Sequence, residues 1–401
     1  MITVAEAEKI ILAETREYGS ELVDFRNAAG RILAEDIVAD RDLPPCNRVT
    51  MDGIAIRYAA FETGIRSFSV KATQAAGDAT IEIQNDECIE IMTGAALPDS
   101  ADTVIRYEDV TIENGIAAVT IDTVKQGQNI HYKGRDKKKG DVVLRSGTRI
   151  DASVISMAAS VGKYIIPAKH LPLVGIISTG SELVDAGSEP EAHQIRSSNS
   201  YTISAVLEQY GINADLMHLP DDKETTEQQL SQCLEKYDVL ILSGGVSMGK
   251  YDYVPEVLED LKVEKLFHKV KQRPGKPFWF GRHASGVLVF AFPGNPVSAF
   301  MCLHRYLVPW LEMNLKAKSS MQKAYAVLDR DVTFTAPLQY FMQVELRLNE
   351  QGQLTAIPVE GNGSGDFANL VDSDAFMELP LEQTNFKKGE AYRVWPFKNI
   401  I

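Results

Sequence analysis

Apolar positions in this chain follow more than one period, and the changes of period divide it. Near the start, Val4, Ala7, Ile10, Ile11 and Ala13 recur with helical spacing behind a Thr3/Glu6 capping box, which predicts an opening helix that Gly19 stops. From about Pro45 to Asp136 the texture becomes short strand-like pieces, Ser67 to Ala72, Cys88 to Met92 and Ala117 to Ile121, broken by Gly, Asn and Asp turns. That predicts a small β module inserted into a helical one, whose pattern resumes at Ile150 to Val161. Beyond Leu171, strands and helices alternate: the strand Leu173 to Ile177, a helix Asn199 to Tyr210, a strand ending at Leu219 and a helix Glu224 to Tyr237. The strand Val239 to Leu242, the helix Val254 to Leu261, the strand Gly286 to Phe292 and a long helix Val297 to Leu315 complete the series. Such an order predicts a parallel sheet covered by helices on both faces, with ligands beyond the carboxyl ends of its strands. After about Lys318, alternating pieces such as Phe341 to Leu348 and Ala391 to Trp395 predict a small all-β module. The fold class expected is therefore multidomain α/β plus β.

Composition narrows the function. With 45% hydrophobic, 24% charged and 8% aromatic residues in 401, the chain is ordinary globular material, which excludes collagen-like, disordered and coiled-coil classes. Its formal charge of −14 opposes wholesale attraction to nucleic acid or an anionic membrane, so an anionic ligand needs a local basic pocket. Cys46, Cys88, Cys233 and Cys302 are spread out, with no CxxC and no His at metal-ligand spacing, and read as reduced thiols. The first residues show no basic stretch followed by an apolar run, and apolar runs elsewhere are far shorter than the ~18 residues of a membrane span. A cytoplasmic protein is expected.

The richest loop is Ser243-Gly244-Gly245-Val246-Ser247-Met248-Gly249-Lys250-Tyr251-Asp252, directly after an apolar strand. Successive glycines let backbone N–H groups turn inward as an anion nest, with phosphate the natural guest. Two familiar motifs overlap there and neither fits. Gly244 to Lys250 matches a Walker A loop, but Tyr251 stands where Ser or Thr must hold magnesium. Gly245 to Gly249 matches the nucleophile-elbow pattern around Ser247, yet the strand ends near Leu242 and Pro255 marks a later helix start. Glu182, Asp221 and Asp252 each follow a strand of the sheet, and oxygen ligands gathered beside a phosphate nest suit magnesium.

Lys269 to Pro277 concentrates cations in an acidic chain, and Arg273 and Lys276, stiffened by Pro274 and Pro277, could hold an oxyanion. Lys133 to Lys139, around Asp136, is a second cluster of the same sign. In Pro293-Gly294-Asn295-Pro296-Val297-Ser298, Pro296 reads as a helix start with Asn295 as its cap. Met51-Asp52-Gly53 puts a carboxylate on a turn at the entry to the β module. The seven His residues are scattered singly and support neither a catalytic triad nor a His-rich metal site.

Taken together these segments resemble the molybdopterin molybdenumtransferase family, relatives of the C-terminal domain of gephyrin. The resemblance rests on Asp42-Leu43-Pro44-Pro45, Met51-Asp52-Gly53, Thr93-Gly94-Ala95 with Pro98 and Ala101-Asp102, and Ser178-Thr179-Gly180 with Glu182. It continues through Gln194-Ile195-Arg196 with Asn199, Ser243-Gly244-Gly245-Val246-Ser247 with Gly249 and Asp252, Pro274-Gly275-Lys276-Pro277 and Pro293-Gly294-Asn295-Pro296. It implies a discontinuous helical domain (1–45 and 137–170), an inserted β domain (46–136), an α/β domain that binds molybdopterin (171–318) and a C-terminal β barrel (319–401).

The reaction implied is Mg2+-dependent: molybdenum passes from molybdate into adenylylated molybdopterin, with release of AMP. A homodimer whose active site is shared between chains, and an upstream molybdopterin adenylyltransferase that supplies the substrate, are the implied partners. Carried over by position, Glu182, Asp221 and Asp252 resemble the metal and positioning acids, and Ser243, Gly244, Gly245 and Ser247 the pyrophosphate loop. Arg273 and Lys276 resemble the molybdate and phosphate cations, Pro293, Asn295, Pro296 and Ser298 the pterin-side loop, and Ser364 a serine near the oxyanion. Asp52, Thr93 and Asp136 resemble the contributions of the insert. The chain departs from the family pattern at Ile54, at Ser197, and at Gln339 and Gln343, where the positive charge of an arginine is expected. A gephyrin-like binding scaffold without turnover and a serine hydrolase using Ser247 are the alternatives.

Overall fold

Strands with no polar face must be buried on both sides, and three such strands build the centre of this molecule. The computed structural model describes residues 1–246, 253–318, 323–361 and 363–398. These divide into two compact units, one of residues 1–35, 146–155 and 165–401, the other of 36–145 and 156–164.

In the first unit, β1 (Val174–Thr179), β2 (Asp215–Leu219), β3 (Val239–Ser243), β4 (Glu264–His268), β5 (Trp279–Arg282) and β6 (Leu288–Phe292) form one sheet in the order β2-β1-β3-β6-β5-β4. The first four in that order run parallel; β5 and β4 are antiparallel. Every residue of β1, β3 and β6 is buried, as their unbroken apolar runs require. Successive side chains part to opposite faces. Ile176, Ile241 and Phe290 join a core with the opening helix α1 (Val4–Ala13) and with α2 (Asn199–Glu208). Ile177, Leu242 and Val289 join another with α3 (Lys223–Lys236) and α4 (Val254–Asp260).

The sheet is thus mixed, parallel over four strands with an antiparallel edge, within the mixed or parallel α/β class expected. Strands β4 and β5 are not legible in the sequence because β4 mixes charged with apolar residues and β5 is only four residues long. The opening helix ends at Ala13, well before Gly19, because Asn314 and Trp310 engage the Arg16 N–H and the Glu14 carbonyl. The N-terminal segment expected to be helical also carries the strand Ser20–Asp24, paired with Ile165–Lys169. The long helix is α5 (Pro296–Cys302) and α6 (Val308–Asn314) joined by a π-helical stretch, Leu303–Leu307. Pro309 explains the widening: its ring has no N–H to give and would crowd the preceding turn.

Strands β7 (Ala324–Leu328), β8 (Gln339–Leu348), β9 (Leu354–Pro358), β10 (Ala375–Leu379) and β11 (Ala391–Pro396) pair in the ring β8-β9-β7-β11-β10-β8, a closed five-stranded barrel. Its interior is filled by Val344, Ala356, Met377 and Val394 among others. The second unit holds a six-stranded mixed sheet of Thr103–Arg106, Gly53–Ile56, Glu87–Ile91, Ser67–Gln74, Ile116–Val119 and Val110–Glu113, in that order.

His304 packs its ring 4.5 Å from Phe300 and 5.7 Å from Phe397, and its Nε2 is buried without a partner. Burial pushes the imidazole down to about 3, so the folded chain keeps it neutral where the unfolded chain would protonate it. The stability it contributes is present above the unfolded value near 6.5 and is lost as pH falls toward 3. Between pH 7 and 5, unfolding in urea should show the wild type losing up to about 2 kcal/mol more than His304→Leu.

Candidate functional site

Register brings the site together. Ser178, Ser243 and Phe292 are neighbours across β1, β3 and β6, and Thr179 faces Leu219 on β2. The loops that follow therefore leave the sheet at one level and line a cleft of 480 Å³. Among the residues expected there, Glu182, Asp221, Ser243, Gly244, Gly245, Pro293, Asn295 and Pro296 all reach this cleft. Ser247 and Asp252 lie outside the described residues.

Gly244 and Gly245 take φ of +99° and +66°, and a Cβ on either would come within 2.8 Å of Thr179 Oγ1. Only glycine fits at both. The Gly244 N–H donates to the Phe292 carbonyl at 3.1 Å, so it is not a nest donor as the glycine run suggested. The N–H groups of Gly245 and Val246 have no protein acceptor among the described residues and are the ones available to an anion. The Asn199 amide donates to Ser243 Oγ at 2.8 Å and to the Gly294 carbonyl at 2.8 Å, fastening the end of β3 to the loop after β6.

Asp221 accepts the Ser181 N–H through Oδ2 at 2.9 Å, and its own N–H donates to Ser181 Oγ at 3.2 Å. Glu182, on the same wall, is exposed. Among the described residues there is no cluster of three or more His, Cys, Asp and Glu side chains close enough to enclose a metal. Two carboxylates lining the cleft are a donor set that suits magnesium, which keeps several waters and takes its other ligands from phosphate oxygens.

A second cleft, of 610 Å³, continues from the first, with Pro277, Pro293 and Asn295 lining both. Here stand Arg273, Lys276, Ser298 and Ser364. Arg273 is carried on a two-residue strand, Gln272–Arg273, that pairs in parallel with Gln339 and Tyr340 of β8. Its guanidinium lies 5.8 Å from the Phe334 ring, which stacks at 4.3 Å on Tyr340. Neither Arg273 nor Lys276 has an ion-pair partner among the described residues, although the chain as a whole is acidic. The bend between them is fixed from beneath: buried Gln272 donates to the Gly275 carbonyl at 3.0 Å and accepts from the Tyr306 hydroxyl. Burial raises the Tyr340 phenol, which stays neutral beside Arg273.

Asn295 occupies the cap position of α5, with Pro296 first in the helix, but its side chain makes no capping bond. It donates instead to Ser364 Oγ at 2.8 Å, and the Val297 N–H donates to the Ser364 carbonyl at 3.2 Å. The expectation of a simple cap is corrected to a bridge across the second cleft. Gln339 spends its amide on Glu378, and Gln343 lines the cleft with its Nε2 buried and unpartnered, so β8 contributes polarity but no charge. Sequence reasoning passed over Thr179, whose hydroxyl is buried without a partner under the glycine loop, and Gln272, whose role no local pattern announces.

In the second unit, Asp52 accepts the Thr93 N–H at 2.7 Å, and the Thr93 backbone and side chain hold its carboxyl below the usual range. Asp136 pairs with His131 Nε2 at 2.8 Å. The lysine run is ordered around acids: the Lys139 N–H bonds Asp42 at 2.9 Å, and Lys133 lies 4.0 Å from the same carboxylate.

Comparison with known proteins finds matches along most of the chain. Residues 2–162 match the family model of the MoeA N-terminal region (domain I and II), 175–313 that of a probable molybdopterin binding domain, and 325–397 that of the MoeA C-terminal region (domain IV). A molybdopterin molybdenumtransferase of Synechocystis is 39% identical over 396 residues, covering 98% of this chain and 99% of the relative. The Bacillus subtilis protein of the same name is 30% identical over 403 residues, covering 98% and 93%. A solved Pyrococcus horikoshii structure, described as a molybdopterin biosynthesis moeA protein, superposes with a TM-score of 0.82 at 30% identity over 99% of this chain and 100% of that one.

Gly245→Ala tests the anion nest. A side chain at φ +66° costs about 1 kcal/mol and displaces the loop from Thr179 and Val254. Titration calorimetry with inorganic pyrophosphate should show binding weakened about tenfold or more, while the far-ultraviolet spectrum is unchanged.

Proposed function

This chain belongs to the molybdopterin molybdenumtransferase family, and from that premise we propose that its two joined clefts hold adenylylated molybdopterin and molybdate while molybdenum is inserted and AMP released. The observation that carries the reading is the continuity of the clefts: a glycine loop suited to an anion opens through Pro277, Pro293 and Asn295 onto two cations with no ion-pair partner among the described residues, in a chain of net charge −14. A substrate with a phosphoanhydride at one end and an oxyanion to receive at the other requires that pairing.

The Gly245 and Val246 N–H groups, with the Ser243 hydroxyl, bind phosphate oxygens. Arg273 and Lys276 hold the molybdate, the planar guanidinium fixing its orientation and the ammonium adding charge. Ser298 and Ser364 present hydroxyls to the same space. Glu182 and Asp221, with Asp252, would hold magnesium, which when bound neutralises phosphate charge and eases departure of the AMP group. Asp221 is held in place for this by Ser181, whose N–H occupies one carboxylate oxygen.

A homodimer with a shared site, in which Asp52, Thr93 and Asp136 act from the second copy, belongs to the same proposal. So does delivery of the substrate by a molybdopterin adenylyltransferase. The four free cysteines support a cytoplasmic setting. No helix among the described residues is long and apolar enough to cross a membrane.

Incubation of the purified chain with adenylylated molybdopterin should release AMP only when both magnesium and molybdate are present, and Asp221→Asn should slow release about a hundredfold. A serine hydrolase would ignore both ions and lose activity in Ser247→Ala; a scaffold would release nothing. Co-expressing Asp52→Asn with Asp221→Asn, each strongly slowed alone, should restore part of the activity in the mixed dimer if the site is shared between chains; no recovery in the mixed dimer would refute sharing.

A further inference from the structure

Asn199 opens α2 and stands half-buried in the wall of the 480 Å³ cleft. Its Nδ2 is 2.8 Å from Ser243 Oγ and 2.8 Å from the Gly294 carbonyl. A carbonyl oxygen can only accept, so the atom that faces Gly294 is the nitrogen and the amide has one permitted orientation. Both amide hydrogens are used in this way. Oδ1 is left with no protein partner among the described residues, and it is not among the atoms shielded from solvent.

The consequence is a polar group whose sign is fixed. An unconstrained asparagine offers a ligand either a donor or an acceptor by turning over; this one can offer only an acceptor. Aspartate would also accept, but its second oxygen would face the Gly294 carbonyl, two acceptors with no proton between them. The amide therefore does two things at once. It ties β3 to the loop after β6, and it shows the cleft a carbonyl whose position is set in advance.

We propose that Asn199 is a specificity-determining residue, whose Oδ1 accepts a hydrogen bond from the exocyclic amino group of an aminated heterocycle in this cleft. The inference rests on the function proposed above, whose substrate carries two such rings, the aminopyrimidinone of the pterin and the adenine of the AMP group. An oxo group in place of the amino group would set oxygen against oxygen, and the ring would be rejected.

Two ligand pairs test this in the full chain: pterin against lumazine, which has an oxo group where pterin has the amino group, by fluorescence titration, and AMP against IMP by calorimetry. The wild type is expected to prefer the amino member of one pair about tenfold, the worth of one neutral hydrogen bond, and that pair identifies the ring held here. Asn199→Ala brings the preference close to unity. Asn199→Asp, which keeps an acceptor, retains it while binding the amino member more weakly. No preference by the wild type in either pair, a result that needs no variant to fold, overturns the inference, as does a preference that survives Asn199→Ala. Failure of the wild type to bind either pterin or AMP overturns the functional reading and this inference with it.

Discussion

The site depends first on the register of three strands that have no solvent face. β1, β3 and β6 are buried at every residue, and parallel pairing sets Ser178, Ser243 and Phe292 side by side. A shift of one residue would exchange the two faces of a strand, taking Ile176 or Ile241 from one core and forcing it into the other. Burial on both sides thus fixes the longitudinal position of each strand far more firmly than any contact at the cleft could. The loops inherit that precision, and small groups such as the Asn199 amide can then span from one to the next.

Electrostatics follow from the same placement. The chain is acidic overall, and many of its Lys and Arg side chains sit within ion-pair distance of carboxylates, as Lys223 does with Glu256 and Asp260. Arg273 and Lys276 are left out of such pairing, on a bend shaped by buried Gln272 and Tyr306. Among the described residues, the cations of the second cleft have no carboxylate within ion-pair distance.

Legibility in the sequence tracked locality. Helix α1 could be read from Thr3, Glu6 and the apolar positions behind them, and β1, β3 and β6 from unbroken apolar runs. The glycines at 244 and 245 and the carboxylates at 182 and 221 were visible because their chemistry is local to a strand end. What escaped was set by distant partners. The end of α1 is decided by Trp310 and Asn314, nearly three hundred residues away in the chain. Asn295 looks like a cap until Ser364 is brought beside it, and Gly244 looks like a nest donor until Phe292 takes its N–H. The sheet's antiparallel edge was missed because β4 mixes Glu and Lys with its apolar residues, as an edge strand exposed on one side is free to do.

Gln272 and Arg273 belong to two structures at once. Their backbone adds a rung to the barrel beside Gln339 and Tyr340, while the chain on either side runs into β4 and β5 of the sheet. This strap is a tether between sheet and barrel, and the Arg273 guanidinium rides on the strap itself. Through β8 that strap is continuous with β10 and β11 of the closed ring. The residue that faces the second cleft is therefore held by the same ring of strands that closes the barrel, so the cleft wall is as rigid as the barrel it borrows.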